Sequence, residues 1–139
     1  MKLENFANAA SRHFDDAFLL KSEQRFDNAA YLSGYVAECS MKAIVSASSM
    51  APKRLGHELE TISVDALSLI WIVAPAMRRY EIPNTNEVKE LIREWSPDLR
   101  YCESGVIDSA QAERWTVAAT QIFERFVVNS VLDGWSQLT

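Results

Sequence analysis

The chain is poor in the residues that break or staple a fold. Its 139 residues include only four glycines, four prolines and two cysteines. Few breakers mean few turns, so regular elements must occupy most of the length. Cys39 and Cys102 lack the C-x-x-C spacing of a metal knuckle or redox pair, which fits a reducing compartment. Long hydrophobic runs are missing too. The longest, from Ala66 to Met77, is interrupted by Ser68 and Pro75 and falls short of the ~18 apolar residues of a membrane span. The opening MKLENFANAASRHFDD carries charges where a signal peptide carries its apolar core, so a cytoplasmic protein without membrane association is expected.

Positive charge is scarce as well. Net charge is −5, and the densest basic pairs are Lys53-Arg54 and Arg78-Arg79. Phosphate contacts dominate non-specific affinity for nucleic acid, so a general coating protein is excluded and only a local pocket for one phosphate is left open. His13 and His57 have no company at metal-ligand spacing, so neither metal nor cofactor is expected. There is no G-x-S-x-G nucleophile turn and no glycine-rich phosphate loop. The adjacent acids Asp15 and Asp16 point in different directions on a helix and read as surface.

What remains is a chain that is 48% hydrophobic and 24% charged, the profile of a compact globular protein. At this length one domain buries roughly 68–70% of its unfolded surface, enough for a core without staples. Leu3, Phe6, Ala10, His13, Ala17 and Leu20 recur at three-four spacing and predict an amphipathic helix from Leu3 to Leu20, with His13 in its apolar stripe. A second helix from Phe26 carries Leu32, Val36, Cys39, Ala43 and Ala47 on one face, and Tyr31, Tyr35, Glu38 and Lys42 on another. Its interspersed Ala29, Ala30, Gly34, Ala37 and Ser40 mark it as the central member, because small side chains let neighbours approach.

Pro52 and Gly56 are expected to end that helix. A third helical region from about Glu58, restarted near Ser63, runs through LSLIWIVAPAMRRY to Pro83. Asn84 with Glu87 reads as a capping box opening a short helix from Thr85 to Glu94. Asp108 with Gln111 opens the last, which turns Trp115, Ala118, Ala119, Ile122, Phe126 and Val127 inward and ends near Gly134. The expected fold is all-α, a single-domain bundle of about five helices.

Against this regularity stands WSPDLRYCESG, Trp95 to Gly105, where Pro97 and Gly105 bracket Trp95, Asp98, Arg100 and Tyr101. Trp95 and Tyr101 are anchors pinning the loop to the bundle, or platforms on which a nucleobase stacks. Arg100 pairs with Glu38 or Asp98, or meets a phosphate, alone or with Lys42. Glu38 and Lys42, four apart with the acid first, form either a solvated pair or a buried one beneath the loop. His57, after Gly56, caps the next helix or joins the same cluster. Glu38, Lys42, His57, Asp98, Arg100 and Tyr101 are therefore the candidate polar site, with Trp95 and Tyr35 as anchors or stacking partners.

The phrases FDNAAYLSGYVAECSMKAI, LGHELE and WSPDLRY, followed by DSAQAERW, occur in an order and at spacings that resemble the HEPN superfamily of small bacterial helical proteins. The resemblance covers most of the chain. It implies a bundle of about five helices, commonly dimeric, that serves as a nucleotide-handling companion of minimal nucleotidyltransferases or as an RNA-cleaving toxin of a toxin–antitoxin pair. The toxin branch carries an Arg separated from a following His by four to six intervening residues. Here those positions hold Pro52, Ala51 and Met50 before His57, and Asn8, Ala7 and Phe6 before His13. The expectation is a non-catalytic, homodimeric module that binds a nucleotide or nucleic-acid end, or docks a nucleotidyltransferase. An RNA-cleaving enzyme using Arg100 and His57 brought together in space, and an interaction protein without a small ligand, are the alternatives.

Overall fold

The computed structural model of the chain describes residues 4–48 and 55–138. Among them every regular element is helical, and five helices make up the body. α1 spans Phe6–Ser22 and α2 spans Phe26–Ala47. α3 starts at Leu59–Thr61, widens through a π turn at Ile62–Ala66 and continues as Leu67–Val73. α4 is Asn86–Glu94. α5 runs Ser109–Phe123, passes a second π turn at Glu124–Val128 and ends with Asn129–Leu132.

α2 is the central helix because almost all of it can be approached. From Ala29 to Val45 nearly every residue is buried, including Ala29, Ala30, Gly34, Ala37 and Ser40. One side joins an apolar cluster with Leu59, Ile62, Leu67 and Ile70 of α3, Val88 and Leu91 of α4, and Trp115, Ile122 and Phe126 of α5. The other side places Val36, Cys39 and Ala43 against Ala7 and Ala10 of α1 and Ala119, Phe123 and Val127 of α5. Alanine where α1 meets α2 keeps the backbones close, and burial from two directions anchors α2 in register.

The helix ends differ from the sequence expectation in instructive ways. α1 begins later than Leu3, which lies outside the described residues, because the Asn5 side chain accepts from the Asn8 N–H at 2.9 Å and caps Phe6 onward. α2 stops at Ala47; the expected exit at Pro52 lies outside the described residues. The third region does not run to Pro83. It ends at Val73, and Pro75–Arg79 form a separate 3-10 turn, since Pro75 cannot donate to a continuing helix. Thr85 rather than Asn84 caps α4: its backbone is extended and its Oγ1 accepts from the Val88 N–H at 3.3 Å. Asp108 caps α5 as expected, accepting from the Gln111 N–H at 2.8 Å.

The loop from Trp95 to Gly105 contains a 3-10 turn at Pro97–Tyr101, started by Ser96, whose hydroxyl accepts from the Asp98 N–H. It is tied to the start of α2 by Asp27, whose carboxylate accepts from the N–H groups of Gly105 at 2.7 Å and Ile107 at 3.0 Å. Among the described residues no helix is long and apolar enough to cross a membrane.

Candidate functional site

The site starts from helical spacing on α2. Tyr31, Tyr35, Glu38 and Lys42 follow one another at four, three and four residues, so they form a row along one face. Most of that row is covered, and this decides its chemistry. Glu38 and Lys42 are 4% and 5% exposed. The Lys42 ammonium lies 3.3 Å from Glu38 Oε2, and the Phe6 ring sits 6.0 Å away from it. A solvated surface pair is thereby overturned in favour of a buried one. Such a pair adds little net stability, but losing one partner strands a charge out of water.

The second carboxylate oxygen is also occupied. His57 Nδ1 lies 2.8 Å from Glu38 Oε1. A carboxylate can only accept, so Nδ1 carries the proton and donates, leaving Nε2 as the other functional nitrogen. The His57 side chain is 58% exposed while that of Glu38 is 6% exposed. The cluster is therefore sealed at its acid and open at its imidazole, and His57 joins Glu38 rather than capping α3.

One turn earlier on α2 the tyrosines meet the loop. The Tyr31 and Tyr35 hydroxyls share a hydrogen bond at 3.3 Å, and their rings meet edge to face at 5.2 Å. Trp95 packs against both, with its centroid 5.0 Å from that of Tyr35, and its Nε1–H donates to the Tyr31 carbonyl at 2.9 Å. Its seat is Gly34. A Cβ on Gly34 would stand 1.9 Å from Trp95 Cε2, so the indole occupies the space where any other residue would begin its side chain. Trp95, 5% exposed, is the loop's anchor. Tyr101 is not an anchor, for its ring is 75% exposed.

Arg100 does not pair with Glu38, whose two oxygens are taken by Lys42 and His57. Nor does it pair with Asp98, which is exposed and outside the cluster. Its guanidinium instead sits 4.7 Å from the centre of the Tyr101 ring. The hydroxyls of Tyr101 and then Tyr31 beside it raise its pKa above the ordinary value. Among the described residues no carboxylate lies within ion-pair distance of it. The Tyr35 ring lies 6.1 Å from the His57 imidazole. Burial, the Tyr31 hydroxyl and the Glu38 charge push the Tyr35 phenol up to about 12, with Arg100 opposing.

The structure thus brings Tyr35, Glu38, Lys42 and His57 together, sets Arg100 and Tyr101 beside Tyr31, and leaves Asp98 out. Two participants were not among the candidate site residues expected from the sequence. Tyr31 completes the row, and its spacing of four from Tyr35 was the available signal. His13, expected in the apolar stripe of α1, is only half-buried and faces Tyr35 at 5.8 Å. Burial and then the Arg12 charge lower its pKa, with Asp16 and Glu38 opposing.

Among the described residues no group of three or more His, Cys, Asp and Glu is arranged to hold a metal ion. Cys39 is buried, with its thiol pushed up to about 12 chiefly by burial, and Cys102 is exposed; neither is in a disulfide. Compared with models of protein families, with curated proteins and with solved structures, the chain finds no match, so the chemistry of these residues is what bears on function.

Proposed function

We propose that the chain is a non-catalytic, HEPN-like module that binds a nucleotide or the end of a nucleic acid on the rim formed by Tyr31, Tyr35, His57, Arg100 and Tyr101. One observation carries this reading: Arg100 is exposed and free of carboxylate partners among the described residues, yet is braced over an exposed tyrosine ring. A guanidinium pairs a phosphate in two-pronged fashion, and an aromatic face stacks any base for ~1–3 kcal/mol. In a chain of net charge −5, a localised cation beside aromatic rings suits one ligand rather than a long phosphate backbone. Thermal-shift titration with nucleoside monophosphates and short RNA tests it. A rise in melting temperature that disappears in Arg100→Ala supports the reading; no rise with any ligand leaves an interaction protein without a small ligand.

The RNA-cleaving alternative draws support from a different contact. The buried Glu38 carboxylate fixes the tautomer of an exposed His57, the relation of an orienting acid to a general base or acid. Under this reading, RNA incubated with the protein is cut, and His57→Ala and Arg100→Ala each abolish the cut.

The partner part of the proposal is a homodimer, or docking of a nucleotidyltransferase. Its support is the outer side of α3, where Val64, Leu69 and Ile72 are 57%, 47% and 71% exposed. Light scattering after size exclusion gives the mass in solution. A dimer that dissociates in Ile72→Asp supports self-association through that face.

A further inference from the structure

The corner before α2 and the loop after Leu99 form an open cavity of about 350 Å³ beside Arg100. Gln24, Arg25, Asn28, Leu99, Arg100 and Cys102 are among its walls. Two of these carry guanidinium groups. Arg25 is exposed, makes no side-chain capping bond at the start of α2, and pairs with no carboxylate among the described residues. Asp27 also lines the cavity, but its two oxygens are engaged by the Gly105 and Ile107 N–H groups and hold the loop in place. With 19 acidic residues against 14 basic ones, acids are in surplus, yet these two arginines line one cavity, and neither pairs with a carboxylate among the described residues.

We infer that this cavity receives a phosphate monoester held between Arg25 and Arg100, an inference that rests on the nucleotide-end reading and narrows it to a terminal phosphate. Each guanidinium offers a planar fork of N–H donors that matches two phosphate oxygens. A monoester carries roughly −1.5 to −2 charge at pH 7, so two cations favour it over a chain-internal diester with a single charge. The volume lies near the lower end of the roughly 300–1,000 Å³ typical of ligand pockets, room for the terminal phosphate and sugar of one nucleotide. The base then lies toward the exposed Tyr101 ring, on the other side of Arg100. A free mononucleotide and a 5′-phosphorylated RNA end offer this same chemistry.

Isothermal titration of the full chain separates them, using AMP, adenosine, and a hexanucleotide RNA with and without a 5′-phosphate. The expected result is that AMP, the phosphorylated RNA, or both bind roughly tenfold or more tightly than the unphosphorylated counterpart. That preference collapses in Arg25→Ala and is partly kept in Arg25→Lys. A preference shown by AMP identifies a free nucleotide, and one confined to the RNA identifies a chain end. The Arg25 side chain is exposed and makes no capping bond, so the variant folds; an unchanged melting temperature verifies it. Equal binding with and without phosphate, or a full preference in Arg25→Ala while Arg100→Ala loses binding, overturns this inference and leaves the broader reading standing. No binding of any of the four ligands by the wild type overturns both.

Discussion

Substituting Gly34 by alanine adds a single methyl group, at the most crowded point of the molecule. On the unmoved backbone that carbon would lie 1.9 Å from Trp95 Cε2, 2.0 Å from Nε1 and 2.1 Å from Cδ2. The indole cannot slide aside cheaply. It is 5% exposed, its Nε1–H is bonded to the Tyr31 carbonyl, and two tyrosine rings flank it. Either α2 and the loop separate, at the ~1–3 kcal/mol cost of overpacking, or the indole leaves its seat, at something near the ~3–5 kcal/mol of a large aromatic deletion. Alanine's better helix propensity returns about 1 kcal/mol. The net loss is then about 0–2 kcal/mol if the elements separate and about 2–4 kcal/mol if the indole leaves, measured by urea unfolding followed by circular dichroism at 222 nm. In a Trp95→Ala background the clash is gone, so Gly34→Ala should become neutral or stabilising by up to about 1 kcal/mol. If Gly34→Ala changes stability by the same amount with or without Trp95, the seating of the indole is wrong.

The other predictions concern charge and capping. Glu38→Ala strands the Lys42 ammonium out of water and should cost about 3–5 kcal/mol in urea unfolding, whereas adding Lys42→Met should recover most of the loss. His13 has its pKa lowered in the folded chain, so the unfolded chain binds more protons as pH falls below 6.5 toward the folded value. Stability must therefore decline with acidification through that window. His13→Gln should flatten this part of a melting-temperature profile, and an unchanged slope would refute the assignment. Asp108→Ala removes the cap of α5 and should lower stability by about 1 kcal/mol; the same loss in Asp108→Asn, which can still accept the Gln111 N–H, would point to charge rather than capping.

Local rules carried the reading of the helices, because periodicity and caps are properties of neighbouring residues. The scarcity of glycine and proline, the small residues of α2 and the Asp108–Gln111 signal all act within a few turns, and each has its counterpart in the structure. Where two local signals competed, the sequence misled. Asn84 and Thr85 both suit a cap, and only the path of the chain into α4 decided for Thr85. The apolar run into Met77 hid the stop that Pro75 imposes. The site was legible in its membership more than in its pairing. Tyr35, Glu38 and Lys42 share a face by spacing alone, but spacing says nothing about which base arrives from elsewhere.

By itself, then, the order of residues determined an all-helical chain with a row of polar and aromatic groups along its central helix. Only the tertiary structure decided that His57 and Lys42, rather than Arg100, satisfy Glu38, that a missing Cβ at Gly34 seats Trp95, and that Arg25 and Arg100 line one cavity. The physical reason is range. Helix formation is settled by contacts three and four residues apart, whereas a carboxylate with two oxygens takes whichever donors packing delivers to it from distant parts of the chain.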